Sequence, residues 1–115
     1  MIGKMNPEVK AKWLEALRSG RYKQGYQQLK DHDGNYCCLG VLCDIHAKET
    51  HNAFTGKDYL RDRFALPEIV YKWAGLSGPL GAIPTPINDH NSLADMNDKF
   101  KMTFHEIADI IEKQL

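Results

Sequence analysis

The chain has 115 residues, 43% of them hydrophobic and 26% charged, which is typical of one soluble globular domain. Fifteen basic residues balance fifteen acidic ones, so no net field attracts nucleic acid or an anionic membrane surface. No apolar run approaches the roughly 20 residues of a membrane-spanning helix, and the opening MIGKMNPEVK has no signal-peptide segment. We therefore expect a single cytoplasmic domain over residues 1–115, without membrane association or general nucleic-acid binding.

The first predicted helix follows Asn6, which is a favourable N-cap residue. Pro7 suits the first helical position, and an apolar residue recurs at every fourth position from Val9 to Leu17. Ser19-Gly20 then predicts the end of this helix.

A β-hairpin is predicted next, because Asp33-Gly34 is a strong two-residue turn signal. Residues 26–30 and 35–39 would form its two strands. A short helix is then predicted over about residues 39–47, where apolar side chains follow helical spacing. Residues 48–65 show no clean period.

The C-terminal half contains three predicted helices. Pro67 and Gly75 delimit the first, with Ile69, Val70 and Trp73 as its apolar face. Residues 77–91 are rich in proline and glycine and predict a loop with at most one edge strand. Ser92 can cap a short helix, and Thr103 to Glu106 forms a capping box before the last helix. The predicted class is α+β: a hairpin, with room for one further strand, packed against four or five short helices.

All three cysteines lie in the stretch NYCCLGVLCD, residues 35–44. Two of the three are adjacent, which is not a disulfide framework and favours a reducing compartment. Their favoured role is that of small apolar side chains in a core. A zinc site of Cys38, Cys43 and His46, with Cys37 as a fourth ligand, is the less favoured alternative, because zinc sites usually draw ligand pairs from separate segments.

A thiol enzyme is a second alternative, since Cys38 lies where a strand would turn into a helix and a helix N-terminus lowers a thiol pKa. His90, in the loop NDHNS, would be the base, because neighbouring Asn and Asp side chains could orient it. Gly40 lies one turn into the same helix and predicts close packing of another backbone, or of a ligand.

One turn is a candidate anion site. The segment RSGRYKQG, residues 18–25, ends a helix and combines Arg18, Arg21, Lys23 and Gln24 with free backbone N–H groups, which suits a phosphate. The alternative is a solvated helix C-terminus, where cations are favoured anyway. The Asn-Asp pairs at 88–89 and 97–98 are interpreted as turn residues rather than as a ligand or cation site.

Four motifs occur in one order: ALRSGRYKQG, YCCLGVLCD, LPEIVYKWAGL and LADMND with TFHEIADIIEKQL. In these the chain resembles a group of small proteins encoded by tailed bacteriophages and prophages, whose function is unsettled. Only residues 48–65 and 77–91 fall outside the resemblance, and the chain has Lys99 where such proteins tend to have glycine. The resemblance implies a phage accessory protein made in the bacterial cytoplasm, and the histidines are not part of it.

The first functional hypothesis is therefore a non-enzymatic binding module that inhibits or sequesters a host component. Its partner would be a host protein or a phosphorylated small molecule, for example a nucleotide-derived defence signal, and no cofactor is expected. The alternatives are the cysteine enzyme with Cys38 and His90, and a zinc-stabilised interaction module.

Overall fold

The computed structural model describes residues 4–115. Met1 to Gly3, the start of the stretch interpreted as lacking a signal peptide, lie outside the described residues. Within 4–115 there are five helices and one two-stranded antiparallel sheet, which confirms the predicted α+β class. The elements are α1 (Pro7–Arg18), α2 (Cys38–Thr50), α3 (Glu68–Ala74), β1 (Ala82–Ile87), β2 (His90–Ser92), α4 (Leu93–Asp98) and α5 (Phe104–Gln114). None of these helices is long and apolar enough to cross a membrane.

The first and last helices form where their caps predict them. The Asn6 side chain accepts hydrogen bonds from the backbone N–H groups of Glu8 and Val9. At α5 both hydrogen bonds of the capping box between Thr103 and Glu106 are present. These two helices pack against each other, and α1 also packs on α2.

Helix α2 is the centre of the fold and contacts α1, α3 and α4. From Cys38 to Ala47 every residue except Asp44 is buried. The helix continues to Thr50, beyond the predicted end at residue 47. Gly40 packs directly on the backbone of Leu29, which confirms the predicted close packing.

The hairpin predicted over residues 26–39 is wrong, because this segment contains no paired strands. Asp31 to Gly34 does turn, with the Gly34 N–H donating to the Asp31 carbonyl, but the flanking residues make only isolated bridges to Tyr36. Helix α2 begins at Cys38 where a strand was predicted, and as a helix the segment buries its apolar residues against α1, α3 and α4.

The observed hairpin joins β1 and β2 through Asn88-Asp89, within the segment predicted as a loop. Both turn residues have left-handed backbone angles, φ 51° and 66°, as a two-residue hairpin turn requires. The interpretation of this Asn-Asp pair as turn residues is confirmed.

Of the segment 48–65, the first three residues complete α2, and residues 55–62 form two tight turns closed by bridges between Thr55 and Asp58 and between Tyr59 and Asp62. Tyr59 is fully buried and anchors the segment. In α3 the buried residues are Val70 and Ala74, whereas Ile69 is 61% exposed. Its predicted place on the apolar face is therefore wrong.

Candidate functional site

The three cysteines are buried free thiols. The Cys38 thiol is inaccessible and donates to the carbonyl oxygen of Leu93 at 3.6 Å. Burial raises the pKa of Cys38 and Cys43 well above the usual thiol range and that of Cys37 to about 12. A nucleophilic cysteine needs a lowered pKa and access to substrate, so the structure argues against the thiol-enzyme hypothesis.

His90, the base of that hypothesis, is hydrogen-bonded to a carboxylate, whereas the Cys38 thiol bonds to a backbone carbonyl. Its Nδ1 lies 2.8 Å from Oδ2 of Asp95, and its ring packs edge-on against Phe100. Sequence analysis predicted an orienting acidic side chain but not Asp95, which α4 carries to the histidine.

The zinc alternative finds no ligand geometry. His46 is buried, its Nδ1 lies 2.7 Å from the Tyr59 hydroxyl, and its ring packs edge-on against Trp73. Over residues 4–115 no three His, Cys, Asp or Glu side chains are grouped as metal ligands, so Cys38, Cys43 and His46 do not converge.

The four residues of the predicted anion turn point toward different elements. Arg18 donates to Asp109 and Glu112 of α5, each at 2.8 Å. Arg21 forms two hydrogen bonds to Glu15 of α1, the Gln24 amide donates to Asn97 and to the Met102 carbonyl, and Lys23 is exposed. The structure therefore does not assemble these side chains into one pocket.

Asn97, in the second Asn-Asp pair, is a buried structural residue that sequence analysis assigned to a turn. Its Oδ1 accepts from the Gln24 side chain at 2.9 Å and from the Cys38 backbone N–H at 3.2 Å. Its Nδ2 donates to the Gly25 carbonyl at 2.9 Å. Asn97 thereby satisfies the first N–H of α2 across 59 positions of sequence, a link with no local signal.

A groove of about 270 Å³ lies between α1 and α2. The buried residues Ala16 and Ile45 give it an apolar floor, the half-buried Tyr22 is its aromatic lining residue, and charged side chains form its rim. We call it the α1–α2 groove, and it is lined by Lys12, Glu15, Ala16, Arg21, Tyr22, Ile45, Lys48 and Glu49.

The groove has three cations on its rim, each in an ion pair with a carboxylate. The pairs are Lys12–Glu49 at 3.2 Å, Arg21–Glu15 at 2.8 Å and Lys48–Asp44 at 3.2 Å. The three cationic side chains are 51%, 60% and 73% exposed, in that order. Exposed pairs of this kind contribute at most about 1 kcal/mol each, so a multiply charged anion can compete for the cations.

Tyr22 connects the groove to the cysteine motif. Its hydroxyl donates to the Asp44 carboxylate, and its ring packs edge-on against Tyr36 with centroids 5.2 Å apart. Burial first, and then the bond to Asp44, raise the pKa of Tyr22, which stays protonated at neutral pH. The two ends of YCCLGVLCD therefore meet at the tyrosine of RSGRYKQG.

A row of half-buried rings continues from the groove, and we call Tyr22, Tyr36 and Phe54 the aromatic strip. The centroids of Tyr36 and Phe54 are 5.7 Å apart. The Lys30 ammonium lies 5.5 Å from the Tyr36 centroid and 5.3 Å from that of Phe54, and Lys48 lies 5.8 Å from that of Tyr22. Sequence analysis missed the strip, because Phe54 lies in the segment without a period.

A protein-family model matches residues 5–115. The chain belongs to this family, a domain of unknown function (DUF8296). Neither a curated protein nor a solved structure matches the chain significantly. The match covers nearly the whole chain, and the family description names no activity.

Proposed function

We propose that the protein is a phage-type accessory protein, a non-enzymatic binding module that sequesters a phosphorylated small molecule of its bacterial host. The α1–α2 groove is the observation that carries this proposal. It combines an apolar floor, an aromatic lining residue and a rim of three cations that are ion-paired with carboxylates.

The chemistry of the groove favours a phosphate over a carboxylate. A phosphate dianion has three acceptor oxygens, so it can accept hydrogen bonds from Arg21 and Lys48 at the same time. The guanidinium of Arg21 already makes a two-pronged contact with Glu15, and this is the geometry in which Arg binds phosphate. A volume near 270 Å³ suits a ligand the size of a sugar phosphate.

Sequestration fits this groove better than turnover does. Its lining provides charge recognition, while the thiol that the sequence offered as a nucleophile is buried elsewhere. The bacterial cytoplasm as the site of action and the host origin of the ligand rest on the resemblance to phage-encoded proteins. A defence signal built from nucleotides is one ligand of the required chemistry.

The test is isothermal titration of ribose 5-phosphate into the full chain and into three single variants. Lys48→Ala and Arg21→Ala should each weaken binding about tenfold, because each removes one charge-assisted contact. Lys23→Ala is the matched control, since Lys23 is an exposed cation of the same segment outside the groove. A loss confined to Lys23→Ala would contradict the groove and return the anion site to the turn at residues 18–25.

A further inference from the structure

We infer that the ligand is a nucleotide, with its phosphate in the α1–α2 groove and its base on the aromatic strip. This inference rests on the proposed function, because the groove supplies the phosphate site. It adds a requirement for a planar ring, which a sugar phosphate does not meet.

The groove and the strip are continuous, since Tyr22 belongs to both. Tyr22 lines the groove and packs against Tyr36, which in turn packs against Phe54. A ligand that extends from the rim cations past Tyr22 meets a charged site first and an aromatic surface second. A nucleotide has its parts in this order, with a pentose between phosphate and base.

The strip offers ring faces that a base can reach. The ammonium of Lys30 lies over both Tyr36 and Phe54, so these faces are accessible to a flexible side chain from solvent. A lysine side chain can move away, whereas a backbone cover could not. Stacking of a base on an aromatic side chain contributes about tenfold or more in affinity, and it tolerates any base because each has a π face.

The position of Phe54 in the strip is also fixed by packing on buried side chains. Phe54 packs on the fully buried Tyr59 with centroids 5.0 Å apart. Tyr59 in turn is fixed by the hydrogen bond between its hydroxyl and His46. A preformed platform avoids the entropic cost of ordering rings when the ligand binds.

The lysines near the strip favour a negatively charged ligand. An aromatic surface can also bind an organic cation, since ring faces are electronegative. Here Lys30 and Lys48 already lie over the faces of all three rings. A cationic ligand would be repelled by the Lys30 ammonium, whereas an anionic nucleotide gains from it and competes with Asp44 for Lys48.

The experiment compares AMP and UMP with ribose 5-phosphate and inorganic phosphate, by isothermal titration into the full chain and its variants. Both nucleotides should bind about tenfold more tightly than ribose 5-phosphate. Phe54→Leu keeps an apolar side chain and removes the ring face, so it should cancel this advantage and leave ribose 5-phosphate binding unchanged. Phe54→Tyr should retain the tighter binding of nucleotides. Phe64→Leu changes a ring that is 67% exposed and lies outside the strip, so it should leave all four affinities unchanged.

The outcomes separate the two proposals. If ribose 5-phosphate binds as tightly as both nucleotides and Phe54→Leu changes nothing, the nucleotide inference is overturned while the phosphate groove stands. If none of the four phosphates binds, both proposals fail. Thermal melting of Phe54→Leu identifies a variant that fails to fold. In that case the affinities of AMP and UMP relative to ribose 5-phosphate on the unmodified chain still decide, since the inference requires both nucleotides to bind more tightly.

Discussion

Replacing Gly40 by alanine should destabilise the protein, although alanine is the better helix former. A Cβ at position 40 would lie 1.8 Å from the carbonyl oxygen of Leu29 and 2.7 Å from its carbonyl carbon. These are backbone atoms, so no rotamer change relieves the contact. Leu29 is also fixed, because its N–H donates to the Arg63 carbonyl and its own carbonyl accepts from the Cys37 N–H.

The expected loss is the balance of three effects. In an open helix the substitution would stabilise by about 1 kcal/mol. Overpacking costs about 1–3 kcal/mol, and displacing the Leu29 carbonyl weakens its hydrogen bond with the Cys37 N–H, worth about 1 kcal/mol. The net destabilisation is about 1–3 kcal/mol, which for a domain of this size lowers the melting temperature by about 4–12 °C.

Thermal melting followed by circular dichroism measures this shift. Gly78→Ala is the matched control, because nothing lies within 4 Å of a Cβ built at Gly78. Its melting temperature should stay at or slightly above that of the unmodified chain. A Gly40→Ala protein that melts at or above the unmodified temperature would refute the close approach of Leu29 to α2.

Three further predictions follow from burial and hydrogen bonding. Iodoacetamide at neutral pH should label none of the three cysteines until denaturant is added, and mass spectrometry showing rapid labelling of native Cys38 would revive the thiol enzyme. Asn97→Leu should lower the free energy of unfolding in urea by about 3 kcal/mol, because it removes the acceptor of the buried Cys38 N–H and the side-chain donor to the buried Gly25 carbonyl; a loss no larger than a surface change would contradict this role. Burial lowers the pKa of His46 in the folded protein, so the unfolded chain binds the proton more tightly, and stability should be full above about pH 6.5 and fall as the pH drops toward the folded pKa. His46→Gln should flatten that part of the profile, measured by urea unfolding at a series of pH values, and an unchanged slope would contradict the assignment.

The elements that sequence analysis predicted well have local causes. Asn6 and the Thr103–Glu106 box are capping signals that act within four residues, and both helices begin there. The misplaced hairpin shows the limit of such signals. Asp33-Gly34 does turn. The backbone N–H of Cys38 at the start of α2, however, donates to the Asn97 side chain 59 positions away, and no sequence pattern near residue 38 indicates this bond.

Only the part of the candidate site that lies in one continuous segment could be predicted from the sequence. The segment RSGRYKQG was identified as a source of cations, and Arg21 with Tyr22 does border the groove. The opposite wall, with Lys48, comes from α2, and the pairing of α1 with α2 is a tertiary contact. Phe54 extends the surface from a segment whose turns have no hydrophobic period, so periodicity could not reveal it.

The most direct test of the central claim is a titration of ribose 5-phosphate into the unmodified chain beside Lys48→Ala. The α1–α2 groove predicts saturable binding of one molecule per chain, weakened about tenfold when the Lys48 ammonium is removed. No binding at concentrations on the order of millimolar, or equal affinity in both proteins, would contradict it.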